Sequence, residues 1–218
     1  GAIDLPAFEA NCQRQIACGA SSLVVCSVTG EMPTLTPSEY RSLLHTAVKV
    51  ARGRVAVIAS VGSNATAQAI DYARDAARLG VDGLLCVAPY YNKPSQAGIE
   101  AHVRAIVGAT NLPVLLHDIP SRCVVGLSDA TVAVLSKIEQ IIGLVDASGD
   151  VARPGPLRAL VRPDFQLLSG HDPSLFAFMT LGGTGCVSVA ANVLPRLLQS
   201  LVTALRYGRL EEAQGLAA

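Results

Sequence analysis

The chain has 218 residues, half of them hydrophobic and 16% charged, with 17 basic side chains balanced by 17 acidic ones. A chain of this kind can bury a large core and an oligomer interface as well. The balanced charge, with no run of like sign, argues against nucleic acid or an anionic membrane as partner. No apolar stretch reaches roughly 18 residues, the length that spans a bilayer, and the start has no secretory pattern, so the expected compartment is the cytosol.

In chain order, apolar runs rich in β-branched residues and leucine fall at 23–27, 55–60, 83–88, 113–117, 141–146, 166–169 and 185–190, and each predicts a buried strand. Amphipathic stretches lie between most of them. After the first run, Thr36-Pro37-Ser38-Glu39 reads as a capping box with proline at the first helical position. Ser95, Ser128 and Asp172 are placed to cap later helices, and Gly53, Gly80 and Gly108 follow helical patterns shortly before the next run. The six cysteines, Cys12, Cys18, Cys26, Cys86, Cys123 and Cys186, form no C-x-x-C pair and no zinc-finger spacing. They read as reduced, small core residues.

Continuous apolar strands alternating with helices mean a parallel sheet covered on its faces, either open or closed into a barrel. No Gly-x-Gly-x-x-Gly turn follows the first run, where Val28-Thr29-Gly30-Glu31 stands instead. Polar groups gather after the carboxyl ends of the runs: residues 27–31, Tyr90-Tyr91-Asn92, His117-Asp118, residues 146–149, His171-Asp172 and Asn192. That distribution marks the active face of a barrel, so the expected fold is α/β, a (β/α)8 TIM barrel forming one domain over residues 1–218.

At these same positions the chain resembles the dihydrodipicolinate synthase and N-acetylneuraminate lyase family of pyruvate-dependent aldolases. The likeness rests on Val28-Thr29-Gly30-Glu31, Pro89-Tyr90-Tyr91-Asn92-Lys93-Pro94, Ile119-Pro120-Ser121-Arg122, residues 143–149, Leu168-Ser169-Gly170 and residues 182–192. The resemblance implies an eight-stranded barrel, commonly tetrameric, in which a lysine at the end of the sixth strand forms a Schiff base with a 2-keto acid while a threonine and two tyrosines move protons. It also implies a first strand ahead of Gly1 and further helices beyond Ala218, neither of which the sequence contains.

Three departures bear on chemistry. The family pattern Gly-Ile-Lys-Glu-Ala reads Gly143-Leu144-Val145-Asp146-Ala147, which puts valine at the lysine position. Val28 stands for the relay threonine and His117 for the tyrosine of the fifth strand, so the relay retains only Tyr91. Valine has no amine to form an imine, and of the three lysines Lys49 and Lys137 fall on helical patterns and Lys93 in the loop after Tyr91.

What remains is a half-site: Thr29 with adjacent backbone N–H groups, and Arg122, match the family's carboxylate-binding elements. The expected function is that of an atypical or inactive lyase-family member that binds a small 2-keto acid without a cofactor, as a homo-oligomer (dimer or tetramer). Tyr91 and His117 are the candidate catalytic residues, although His117 also reads as a core histidine bonded to a backbone carbonyl, and Tyr90 and Tyr91 as interfacial aromatics. Arg122 reads equally as half of a structural ion pair, and Glu31 as a loop anchor. One alternative is an imine-free lyase or aldolase using His117 and Tyr91. A metal-assisted version would draw on His117, Asp118, Asp146, His171, Asp172 and Glu31, though neighbouring strand residues point to opposite sides. Another is a structural or regulatory subunit of an active paralogue, whose site Tyr91 would complete in a hetero-oligomer.

Overall fold

Each of the seven apolar runs forms a strand in the structure, a computed structural model that describes residues 2–217. In chain order the elements are α1 (Leu5–Ala17), β1 (Ser22–Val25), α2 (Pro37–Ala51), β2 (Ala56–Ser60), α3 (Thr66–Arg78), β3 (Gly83–Val87) and α4 (Gln96–Val107). They continue with β4 (Val114–Asp118), α5 (Pro120–Cys123), α6 (Asp129–Leu135), β5 (Ile141–Asp146), α7 (Pro154–Arg158) and β6 (Gln166–Ser169). Then come α8 (Leu175–Thr180), β7 (Gly185–Cys186), α9 (Pro195–Arg206) and α10 (Leu210–Ala217).

All pairings are parallel and follow chain order from β1 to β7, so every strand is joined to the next by a crossover whose helices cover the outside of a curled, TIM-barrel-like sheet. β1 and β7 are its two edges. The final run is ordered as a two-residue strand only, and the chain then winds into a short 3-10 turn at Ala190–Asn192.

Period-two alternation sorts the strand side chains. Outward residues such as Leu84, Leu116 and Leu144 join the helices in the main core, where Tyr40 and Phe165 are also buried. Inward, each strand sends one branched residue into a smaller ring: Val24, Ile58, Leu85, Leu115, Val145, Leu168 and, just past β7, Val187. Gly143 makes room for that ring, since a Cβ there would stand 2.9 Å from Leu115 Cδ2 and 2.6 Å from the Gln166 carbonyl oxygen.

The helix starts form largely as their sequences dictate. Thr36 Oγ1 accepts from the Glu39 amide and the Glu39 carboxylate accepts from the Thr36 amide, which satisfies two otherwise orphaned donors at the start of α2. Ser95 caps α4 and Ser128 caps α6. Asp172 does not cap a helix: its carboxylate accepts from the amides of Val189 and Ala190, 3.0 and 2.8 Å away, and ties down the segment after β7. The residue opens a 3-10 turn before α8, so the nearest orphan donors are across the loop rather than within its own helix.

Candidate functional site

Val24, Val145 and Val187 of the inner ring line a cavity of ≈ 320 Å³ that reaches the carboxyl ends of the strands. His117 and Val145 lie on its wall with Val28, Thr29, Ile119 and Gly170. From there it runs outward along the edges of β1 and β7, between α1 and α9. Thr29 is held by a 3-10 turn at Val28–Gly30, in which Gly30 and Glu31 donate to the carbonyls of Ser27 and Val28. The first amides of such a turn have no carbonyl within it to bond. Glu31 adopts a left-handed backbone (φ 56°) and joins this turn to the next, and its carbonyl accepts from Thr34.

His117 and Val145 are register partners on β4 and β5, and both face inward. His117 is only 6% exposed. Burial lowers its pKa from 6.5 to about 4, because nothing nearby repays the desolvation of an imidazolium, so the ring is neutral at pH 7. Its Nδ1 is buried without any hydrogen-bond partner among the described residues. The bland reading, a core histidine satisfied by a carbonyl, is therefore not what this side chain does. An orphaned imidazole nitrogen on a cavity wall is a group to which a ligand can bond.

One residue further along, Asp118 and Asp146 are also register partners, but face outward. Arg153, just ahead of α7 and 9% exposed, takes both: Nη1 donates to Asp118 Oδ2 at 2.6 Å and to Asp146 Oδ2 at 2.9 Å. Its Nε donates to Asp129 at 2.8 Å and its Nη2 to the Leu127 carbonyl at 2.6 Å. Burial would lower the Arg153 pKa, but the surrounding carboxylates more than offset it and the net shift is upward. Asp118 is raised above the usual carboxylate range by burial, against the pull of Arg153. Sequence reasoning missed Arg153. The available signal was two aspartates ending adjacent apolar strands, since two buried carboxylates require a shared cation.

The remaining candidates are dispersed. Tyr91 lies in the loop after β3 with a left-handed backbone (φ 70°) and is 85% exposed, away from the cavity wall. Arg122 sits on α5, exposed, and is neither on that wall nor in an ion pair among the described residues. Lys49, Lys93 and Lys137 are all exposed, and none of them lines the cavity. The donors of the metal-assisted alternative do not converge, and no group of three or more ligating side chains is found among the described residues. The reason is alternation: His117 faces inward, whereas Asp118 and Asp146 face outward onto Arg153 and Asp172 is bonded to the backbone after β7. The six cysteines are all free, and burial raises the pKa of Cys26 and of Cys86 to about 12, which keeps both as protonated thiols.

A family model described as the dihydrodipicolinate synthetase family matches residues 1–218. The chain belongs to that family. Among curated relatives it is 45% identical over 218 residues to a 4-hydroxy-tetrahydrodipicolinate synthase of Hyphomonas neptunium, covering 99% of this chain and 74% of the relative. It is 46% identical over 212 residues to the enzyme of the same name from Rhodospirillum centenum, covering 97% and 73%. Among solved structures, the dihydrodipicolinate synthase DapA-2 of Bacillus anthracis superposes with a TM-score of 0.96 at 40% identity, over 100% of this chain and 74% of that one. A chloride-inhibited family synthase of Acinetobacter baumannii, solved in complex with pyruvate, gives 0.96 at 34% identity over 100% and 75%. These comparisons establish a lyase and aldolase family and a TIM-barrel-like fold. No helix of the described residues is long and apolar enough to cross a membrane.

Proposed function

We propose that this family member binds a small 2-keto acid in the cavity at the carboxyl ends of the strands and does so without forming a Schiff base. One observation carries the reading: the inward residue of β5, where the family resemblance calls for the imine-forming lysine, is Val145, 1% exposed in an apolar ring, while all three lysines are exposed elsewhere. Neutral His117 and the hydroxyl of Thr29 are polar groups on that wall beside Val145 and Val28. Pyruvate bound to the Acinetobacter baumannii relative supports the ligand class.

The imine-free alternative has one observation in its favour, the unpartnered ring of His117. With a pKa near 4 that ring is a weak base, and Tyr91 stands outside the cavity of its own chain. A proton relay through Tyr91 therefore requires a second subunit. The exposed tyrosine, held in an uncommon backbone conformation, supports the proposal that the protein acts as an oligomer, built either of its own copies or with an active paralogue. Six free cysteines fit a reducing, cytosolic setting.

Incubation with pyruvate and borohydride, followed by intact mass measurement, tests the central claim. The expected result is no adduct. A pyruvyl mass increase mapped to any of Lys49, Lys93 or Lys137 overturns it.

A further inference from the structure

Away from the cavity, His102 on α4 is buried with a partner for only one of its two ring nitrogens. Nδ1 lies 2.9 Å from Thr66 Oγ1, at the first residue of α3, whereas Nε2 has no partner among the described residues. An imidazole in that state costs stability, because a buried nitrogen has given up water without a replacement. What the ring does instead is tie α4 to the start of α3. Ser63 Oγ bonds to Gln68 and to the Ala65 amide, which closes that turn on itself, and the N-cap residue Ala65 has no side chain to add. The bond across to the neighbouring helix is the one between Thr66 and His102.

Two residues before Thr66, the Asn64 carbonyl accepts from Asn92 Nδ2 at 2.7 Å, and Asn92 belongs to the loop that carries Tyr91 and leads into α4. Loop, α4 and the start of α3 thus form a closed ring. The loop runs covalently into α4, α4 holds Thr66 through His102, and Asn64 holds the loop. Tyr91 and Lys93 flank Asn92 with left-handed backbones (φ 70° and 49°), which residues with side chains seldom adopt unless their surroundings impose them. We propose that His102 is a positioning residue for the Tyr91 loop: through Thr66 and Asn64 it holds Asn92, and so fixes the direction in which Tyr91 leaves the protein. The inference extends the oligomer reading, in which Tyr91 meets a second subunit, without depending on it.

Limited chymotrypsin digestion reads the loop directly, with Tyr207 at the end of α9, exposed like Tyr91, as an internal reference. His102→Leu removes the bond and the unpartnered nitrogen together, so the melting temperature is expected to stay the same or rise. The cut after Tyr91 should nevertheless quicken about fivefold relative to the cut after Tyr207, the factor for one lost hydrogen bond. Thr66→Val should have the same effect on the ratio, Thr66→Ser, which keeps the hydroxyl, should behave as wild type, and the double variant His102→Leu, Thr66→Val should add nothing to either single change. An unchanged ratio in both His102→Leu and Thr66→Val, or a rise at Tyr207 that matches the rise at Tyr91, overturns the proposal.

Discussion

His117 and Val145 face each other across the β4–β5 ladder, and the next residue on each strand, Asp118 and Asp146, turns outward onto a single guanidinium. One register thus fixes two layers. The inner layer is apolar except for a neutral imidazole, and the outer layer is ionic and saturated. The pairing is not uniform along the ladder, which shifts register between Val114 and Leu115, so the ionic layer pins the strands beyond that irregularity.

Restoring the lysine alone should not restore the chemistry. In Val145→Lys the new amine would stand among Leu85, Leu115 and Leu168, beside a neutral His117, with Val28 where the relay hydroxyl is expected. Groups that act as a unit lose far more than their separate shares when several are missing. Borohydride should trap at most a minor pyruvyl adduct at residue 145. Turnover should stay roughly a hundredfold or more below that of a lysine-bearing relative, the usual scale of a lost general acid or base. Near-normal turnover would show that the hydroxyls missing at Val28 and His117 are dispensable.

Arg153→Met is expected to destabilise the protein by about 3–5 kcal/mol, since it strips the common partner from two buried carboxylates. Urea unfolding measures this. Adding Asp118→Asn and Asp146→Asn to the same chain should recover a large part of the loss, because amides cost less to bury unpaired than carboxylates. A loss under about 1 kcal/mol in the single variant would mean that water reaches the carboxylates and replaces the guanidinium.

His117 makes stability depend on pH in a defined window. Its pKa falls from 6.5 in the unfolded chain to about 4 in the folded one, so between these values the unfolded state holds more protons and acid favours unfolding. The contribution is fully present above pH 6.5 and is lost as pH falls to 4, by at most about 3 kcal/mol at 1.36 kcal/mol per unit. Asp118, raised above its ordinary range, works in the opposite direction at the acid end. Comparison with His117→Gln cancels that term. The stability difference between wild type and variant should shift toward the variant on going from pH 7 to pH 4.5, and parallel profiles would place the His117 pKa near its ordinary value.

The layout was readable where local rules decide it. The capping residues Thr36, Ser95 and Ser128 do what their sequence context dictates, and all seven apolar runs pair in chain order. The site was readable to the extent that one strand's alternation fixes what faces inward, which is why His117 and Val145 were found and why the metal grouping of Asp118, Asp146 and His171 does not assemble. Three things depend on partners remote in sequence. Asp172 bonds to amides 17 and 18 residues away, Arg153 reaches Asp118 over 35 residues, and Tyr91 leaves the cavity because its loop turns through a left-handed residue. No local pattern encodes any of these.

Pyruvate itself should bind weakly and through its carboxylate. With Val145 and Val28 on the wall, the cation that lines the cavity, Arg206, is bonded to the Thr184 carbonyl, and the groups at the 3-10 turn Val28–Gly30 that can donate to a carboxylate are the Thr29 hydroxyl and the first amides of that turn. A missing charge-assisted contact costs about 1.5–3 kcal/mol, roughly ten- to a hundredfold in affinity, so a millimolar constant is expected. Calorimetry with pyruvate and pyruvamide checks the carboxylate dependence: the amide should bind at least several-fold more weakly. Thr29→Val should then weaken pyruvate by about 1 kcal/mol, the usual net value of one hydrogen bond, whereas Arg122→Ala should matter little, because Arg122 lies exposed on α5 and off the cavity wall. The reverse order would mean that a second subunit or a loop movement brings Arg122 to the ligand. Tight binding that ignores the carboxylate, or that requires added zinc or manganese and disappears in His117→Ala, would replace this account with a metal site built around His117.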